Sequence, residues 1–445
     1  MPGKGSTVID QEKYKKEQRK KMESQLDSRI RLKIDLESET LFKRETTARH
    51  RMSSGKKKVI GLAVGMFVVL VISMTLVPYG IFSGLLNSVA DGAAGNGLYL
   101  DYSAASYRDV TIYRVSQIID YITSGGSPVI QYVIYTFIAI MISGAAVALS
   151  GSVYQGVFQN PMASPTTLGV QSGGVMAGVL YIYFFMDSAA SSGTSTTTYH
   201  LSDLLQIWEE QNLLERCGQQ LFTLAGCFAG VALIVAISTV AGRGKINTVA
   251  LMLAGGVFSA VISQITQVMQ YVITTQSEDD VRATAINNLV GGRFVGETFT
   301  WYEVLFMAVP ILICAVIIIA LAGKLNIMVF GEDEAKAMGM NVGRFRVILI
   351  ICCTILTAVV LSFCGQMSMI GFMIPHFARY MVGPDFRYLV PASAFLGGIV
   401  SLLVYDACYM TGQTSSFNMF TGIVCTVLSV IFIVKYRRNR HADWA

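Results

Sequence analysis

Two ionisable side chains interrupt an apolar run in the last quarter of the chain. His376 and Arg379 stand three residues apart in GFMIPHFARYMV (371–382), so a helix would place them on one face. Ionisable groups within membrane segments mark transport pathways, proton relays or pairs that face other protein elements. An arginine near a helix end can instead extend to the membrane surface. Pro375 would leave a backbone carbonyl of this helix without its usual donor.

A second polar segment lies between two apolar runs, in LSGSVYQGVFQNPMASPTTLGVQSGG (149–174). Asn160-Pro161 marks a turn, and Pro165 breaks a helix. Non-helical backbone at membrane depth survives only where protein or water covers it. The segment therefore either lines a transport path or forms a tightly packed cytoplasmic turn.

A third segment, LNIMVFGEDEAKAMGMNVGRFR (325–346), also lies between apolar runs. Glu332, Asp333 and Glu334 suit the first turn of a short helix, and Gly339 suits its end. A short amphipathic helix in such a loop is typical of an element that fits a groove on a partner protein. An ordinary capped loop helix is the alternative.

Several kinds of chemistry are missing from the sequence. The four histidines show no metal-ligand spacing, and the eight cysteines form no CxxC pair, so we expect no metal or disulfide framework. GRGKIN (242–247) has neither the spacing of a phosphate-binding loop nor its Ser or Thr after Lys. We therefore expect a chain that is not an enzyme and binds no cofactor or nucleic acid.

The composition indicates that these segments are held by membrane helices. The chain has 445 residues, of which 53% are hydrophobic and only 14% are charged. A span needs about 20 apolar residues. We predict an all-α membrane protein with about ten spans, near residues 59–81, 129–150, 167–186, 220–240, 248–274, 301–322, 344–363, 367–382, 388–410 and 418–435.

Basic residues predict the orientation, because Lys and Arg remain on the cytoplasmic side of short loops. With the N-terminus inside, 29 of the 34 Lys and Arg residues are cytoplasmic, and 17 of these lie in residues 1–58. We therefore predict a charged cytoplasmic extension (1–58), a transmembrane domain (59–436) and a cytoplasmic tail (437–445). The predicted location is the plasma or inner membrane.

The three polar segments together resemble the FecCD-type permeases, which are membrane subunits of ATP-binding cassette (ABC) importers for iron chelates, haem and cobalamin. The resemblance rests on QGVFQNPMASPTTLGVQSGG, GEDEAKAMGMNV and IGFMIPHFARYMVGPDFRYLVP, in that order. It implies a type II ABC importer bundle with both termini cytoplasmic. It also implies a second permease subunit, two ATPase subunits that bind ATP and Mg²⁺, and an extracytoplasmic substrate-binding protein.

The resemblance assigns roles to particular residues. The loop at 325–346 would couple the permease to the ATPase through Gly331, Glu332, Glu334, Ala335, Met338 and Gly339. The cytoplasmic gate would contain Asn160, Asn247 and Thr248. The remaining motif positions, expected to be structural, are Gln155, Pro161, Pro165, Gly169, Pro375, His376, Arg379 and Asp385.

The chain departs from the family pattern mainly on the outer side. GSPVIQY (126–132), NNLVGGRF (287–294) and SSFNMF (415–420) replace segments that usually carry Arg, Trp or Glu-Leu-Pro. In the family that this chain resembles, permease arginines receive acidic residues of the binding protein, and the resemblance makes Arg282 and Arg293 our candidates for that role. An ion-driven carrier is the alternative function, with Glu303, Asp406 and His376 as the ionisable candidates.

Overall fold

The computed structural model of the protein describes residues 54–73, 128–185, 213–242, 248–276, 280–292, 299, 301–367, 369–410 and 417–438. The chain divides into two compact units, Met1–Lys58 and Val59–Ala445. The predictions for residues 1–53 and 439–445, for Asn247 and for Arg293 lie outside the described residues.

Helices make up most of the described residues, and no strand occurs among them. This is the expected outcome for an apolar chain, since a helix satisfies its own backbone groups without water. The all-α prediction is confirmed for this part of the protein. The helices are α1 (54–73), α2 (Pro128–Val157), α3 (Val170–Phe185), α4 (Leu213–Ala241), α5 (Thr248–Gln276), α6 (Asp280–Gly291), α7 (Trp301–Val329), α8 (Glu332–Ala337), α9 (Val342–Cys364), α10 (Ile370–Val382), α11 (Phe386–Met410) and α12 (Phe417–Arg438).

Six of the described helices are long and apolar enough to cross a bilayer. These segments are Ile134–Val157, Gly218–Ala241, Val249–Thr275, Trp301–Val329, Val342–Cys364 and Phe386–Cys408. Two further apolar segments, Val170–Phe185 and Phe417–Val430, are shorter. The chain is therefore a multi-pass membrane protein, while the count of ten spans and the cytoplasmic termini stay predictions.

Helix α2 lies at the centre of the helix packing, against α7, α9, α10 and α11. Small residues permit this packing, because they let helix backbones approach closely. A methyl group on Gly144 of α2 would lie 2.5 Å from the carbonyl oxygen of Gly397 in α11. The pair α3 and α4 meets in the same way, through Gly173 and Gly226.

Pro375 creates an unusual contact between α10 and α2. A proline has no amide hydrogen, so the carbonyl of Gly371, four residues earlier, loses its helical donor. That oxygen faces Gly151 of α2, where an added methyl group would overlap it. The predicted free carbonyl is therefore covered by the α-carbon of a glycine, a contact of the weak C–H···O kind.

Helices α5 and α12 each present a broad face that the other described residues leave uncovered. On α5, Val249, Leu253, Val257 and Tyr271 are all more than half exposed. On α12 the corresponding exposed side chains are Met419, Ile423, Val427 and Val430. In a membrane protein such faces contact lipid, a second subunit or a transport path.

Candidate functional site

The segment between α2 and α3 forms a compact loop, residues 158–169, which we call the 158–169 loop. Helix α2 ends when Gln159 adopts a left-handed conformation with φ of 49°. The amide of Asn160 then donates to the carbonyl of Gln155 at 3.1 Å. The side-chain oxygen of Asn160 accepts from the amide of Met162 at 2.8 Å, which closes the turn around Pro161.

Helix α10 holds the first half of this loop. The side chain of Gln155 is buried, and its Nε2 donates to the carbonyl oxygen of Phe372 at 3.1 Å. A guanidinium nitrogen of Arg379 donates to Gln155 Oε1 at 3.4 Å. His376 Nε2 lies 3.0 Å from the carbonyl oxygen of Pro161. His376 and Arg379 therefore both contact the end of α2 and its loop.

The second half of the loop is fixed by reciprocal capping bonds. The Ser164 amide donates to Thr167 Oγ1 at 2.9 Å, and the Thr167 amide donates to Ser164 Oγ at 3.1 Å. Gly169 has φ of 69°, and a side chain there would overlap Ile234. Pro165 is buried, and a methyl group on Gly371 would lie 3.0 Å from its Cδ.

The loop also contacts α5 and the end of α7. Ser259 of α5 donates its hydroxyl to the carbonyl oxygen of Thr166 at 3.0 Å. On the opposite flank, Gln159 Nε2 donates to the carbonyl oxygen of Met328 at 2.5 Å. Met328 lies in the last turn of α7, four residues before the first residue of α8. The loop is thus hydrogen-bonded to three different helices, α5, α7 and α10.

Helix α8 is a single exposed turn with a buried anchor. Ala335 is fully buried, whereas Met338 is 60% exposed and Phe330 is 77% exposed. Gly331 precedes the helix with φ of 137°, a conformation that favours glycine. The carboxylate of Glu332 pairs with the guanidinium of Arg346 in α9. Helix α8 is therefore fixed through Ala335 and Glu332, and two exposed apolar side chains, Phe330 and Met338, flank it.

Asp385 connects α11 to the end of α7. Its Oδ1 accepts from the amide of Arg387 at 2.9 Å, as an N-cap residue does, and from Asn326 Nδ2 at 2.7 Å. The side-chain oxygen of Asn326 accepts in return from the amide of Phe386 at 2.9 Å. The GPD turn therefore fixes the start of α11 against the last turns of α7.

The other predicted site residues lie away from this cluster or outside the described part. Thr248 is the first residue of α5. Arg282 is half-buried in α6. Asn247 and Arg293 are not among the described residues. In the part of the chain that the structure describes, no three His, Cys, Asp or Glu side chains group to hold a metal ion.

Sequence reasoning missed three residues that hold the cluster together: Gln159, Asn326 and Arg346. Gln159 and Asn326 form hydrogen bonds with backbone groups, and Arg346 pairs with Glu332. In each case the partner lies 14 or more residues away in the sequence. One signal was available for Gln159, since a polar residue directly before Asn-Pro marks a helix end. No comparable signal exists for Asn326, which stands within an apolar run.

The comparisons with known proteins agree with this architecture. The model of the FecCD transport family matches residues 104–438. The Fe(3+)-citrate import system permease protein YfmE of Bacillus subtilis is 28% identical over 88% of this chain and 99% of its own length. The molybdate import system permease protein MolB of Haemophilus influenzae is also 28% identical, over 66% of this chain and 77% of its own.

A solved structure shows the same fold. It is described as a metal-chelate type ABC transporter in an inward-facing conformation, and it matches with a TM-score of 0.60 at 23% identity. The match covers 86% of this chain and all of that one. The family model spans well over half of the sequence, and the two permease relatives agree with it. The chain belongs to the FecCD transport family.

Proposed function

We propose that this chain is the permease subunit of an ABC importer that moves an iron chelate, or a related metal complex such as haem or cobalamin, into the cytoplasm of the cell across its plasma or inner membrane. The observation that carries the proposal is the position of α8. Helix α8, with the exposed Met338 directly after it, comes next after α7 in the chain, and the end of α7 contacts the 158–169 loop.

Helix α8 has the features of a docking element for a separate ATPase. Its buried Ala335 and the pair between Glu332 and Arg346 fix its position on the permease. Phe330 and Met338 remain outside, where they can enter an apolar groove. Binding and hydrolysis of ATP and Mg²⁺ by that partner would then move α8 together with the ends of α7 and α9.

The 158–169 loop is the proposed gate at the cytoplasmic end of the path. Its backbone is not helical. Side chains from α5 and α10 contact it, and one of its own side chains donates to a backbone carbonyl of α7. Irregular backbone in a membrane protein is stable where it is buried in protein or lines a cavity. Asn160 is half-buried at the turn, and with Asn247 and Thr248 it would form the constriction.

The uncovered faces of α5 and α12 suit a second permease subunit and the path between the two. The N-terminal half of the exposed α5 face is apolar, whereas its C-terminal half, predicted to be the outer one, exposes the amides of Gln264 and Gln267 beside Tyr271. Amide side chains are costly against lipid, which favours a watery path on this side. An extracytoplasmic binding protein would deliver the cargo, with Arg282 and Arg293 as proposed docking residues.

An iron chelate is the preferred cargo because of the relatives. The iron-citrate permease protein YfmE aligns over nearly all of both chains, whereas the molybdate permease protein MolB aligns over a smaller share. The chain itself shows no three-residue metal site among its described residues. The relatives are therefore the support for this cargo.

Purification of the tagged chain from its own cells in mild detergent tests the proposal. We expect an ATPase with a phosphate-binding loop to be retained in stoichiometric amount, and mass spectrometry would identify it. We also expect uptake of radiolabelled ferric citrate by the cells to stop when ATP is depleted and the proton gradient is preserved. A chain recovered alone, with uptake that follows the proton gradient, would contradict the proposal and support the ion-driven carrier.

A further inference from the structure

Gln159 occupies a backbone position that suits another residue type. It lies just past the end of α2 with φ of 49°. Its amide donates to the carbonyl of Gly156 at 3.3 Å, and the next amide donates to the carbonyl of Gln155 at 3.1 Å. Helix ends of this left-handed type favour glycine, and asparagine after it. Backbone preference therefore gives no reason for a glutamine here.

The side chain of Gln159 provides a reason. Its Nε2 donates to the carbonyl oxygen of Met328 at 2.5 Å. The last carbonyls of a helix have no partner within the helix and need an outside donor. The same oxygen accepts from the amide of Gly331 at 3.2 Å, at the turn that leads into α8. Gln159 thus joins the 158–169 loop to the base of α8.

The other anchors of the loop run to different helices. His376 of α10 contacts the carbonyl oxygen of Pro161, and Ser259 of α5 donates to that of Thr166. Met328 is fully buried, so the end of α7 that Gln159 contacts is a fixed part of the packing. A displacement of α8 that shifts this end of α7 would pull on the loop through Gln159.

We propose that Gln159 is a positioning residue that transmits movement of α8 to the 158–169 loop. The inference rests on the proposed function, because it requires an ATPase docked on α8. The inference predicts that the length of the Gln159 side chain, which reaches the carbonyl of Met328, determines how well the movement is transmitted. Asparagine and glycine, which suit the left-handed backbone better, would fold as well or better and would transmit less.

The experiment uses the complete complex of this chain with its ATPase in lipid nanodiscs. Met162 is 62% exposed in the loop, so Met162→Cys reports on the loop through its rate of reaction with a membrane-impermeant maleimide. Seven of the eight cysteines are buried, and Cys217→Ser removes the other. Labelling rates are compared without nucleotide and with ATP plus vanadate, in the Gln159, Gln159→Asn and Gln159→Gly backgrounds.

With Gln159 present, we expect ATP plus vanadate to change the labelling rate severalfold. In Gln159→Asn, which keeps the amide but is one methylene too short, we expect that change to shrink by about twofold to tenfold, the factor that one hydrogen bond represents in an equilibrium. ATP hydrolysis should continue, and the midpoint of thermal unfolding should stay equal or rise. Gln159→Gly should behave in the same way.

Two results would overturn the inference while leaving the proposed function intact. One is a nucleotide-dependent labelling change that is the same in all three backgrounds. The other is a loop whose labelling ignores nucleotide even with Gln159 present and an active ATPase bound. Absence of any ATPase from the purified complex would be a separate result, and it would contradict the proposed function itself.

Discussion

The carbonyl oxygen of Gly371 in α10 lies against the α-carbon of Gly151 in α2, so closely that a methyl group on Gly151 would overlap it. The contact exists because Pro375 cannot donate to that carbonyl. It brings α10, with His376 and Arg379, to the end of α2 where the 158–169 loop begins. Much of the candidate site therefore depends on one glycine.

Gly151→Ala should destabilise the protein strongly. The new methyl group meets backbone atoms, which cannot rotate away, so overpacking should cost about 1–3 kcal/mol or more. Thermal unfolding in detergent measures the effect. Gly256→Ala in α5 is the matched control, because an added methyl group there meets nothing within 4 Å. Equal unfolding midpoints for the two variants would contradict the close packing of α2 and α10.

Gly331→Ala should destabilise α8 more than a glycine-to-alanine substitution inside a helix does. Gly331 has φ of 137°, and a methyl group there would overlap the carboxylate of Glu334. Residues forced into such conformations cost about 1–3 kcal/mol. We expect a lower unfolding midpoint and less retained ATPase. Gly343→Ala lies within helix α9 near no crowded atom and should be neutral or stabilising; a loss of the same size in this control would argue against backbone strain as the cause.

Arg346→Ala should loosen α8 without unfolding the bundle. It removes the partner of Glu332, and we expect the free energy of unfolding to fall by about 1 kcal/mol. Coupling should suffer more, because α8 would lose its tie to α9. Transport per ATP hydrolysed is the relevant measurement. Lys336→Ala is the control, since its pair with Asp333 is exposed and contributes little. A coupling loss as large in Lys336→Ala would show that the tie to α9 is not the cause.

The motif residues could be predicted from sequence, but most of their partner atoms could not. Gln155 and Pro161 belong to one motif and His376 and Arg379 to another, and the sequence did not predict that the two motifs form one cluster. Their acceptors include backbone carbonyls, such as that of Phe372, and every residue type carries one. Sequence patterns do not distinguish one carbonyl from another, and for the same reason the bond from Gln159 to Met328 was missed.

The helix boundaries show a second limit of sequence reasoning. The apolar run predicted a span over 129–150, yet α2 continues to Val157. Its last turns contain Tyr154 and Gln155, which are buried against other helices rather than exposed to lipid. An apolar run measures how much of a helix suits lipid, whereas tertiary packing decides where the helix ends.

Asp406→Asn separates the two classes of transporter considered for this chain. Asp406 Oδ2 accepts a hydrogen bond from Ser73 Oγ at 2.6 Å, so an amide in its place can keep an acceptor oxygen towards Ser73. In an ABC permease the variant should change uptake of radiolabelled ferric citrate by less than about threefold, since one hydrogen bond is altered. Uptake in cells of fixed ATP content is the measurement. Complete loss of uptake, with normal amounts of protein in the membrane, would favour an ion-driven carrier.

The most direct test of the account asks whether the ATPase docks on α8. Met338→Asp puts a charge at the exposed methionine directly after α8, and Met162→Asp puts one at an equally exposed methionine in the 158–169 loop. Each tagged variant is purified in mild detergent, and the retained ATPase is quantified. We expect Met338→Asp to lose most of the ATPase and Met162→Asp to retain it, with both variants as stable as the unmodified chain. Full retention of the ATPase by Met338→Asp would contradict the central claim.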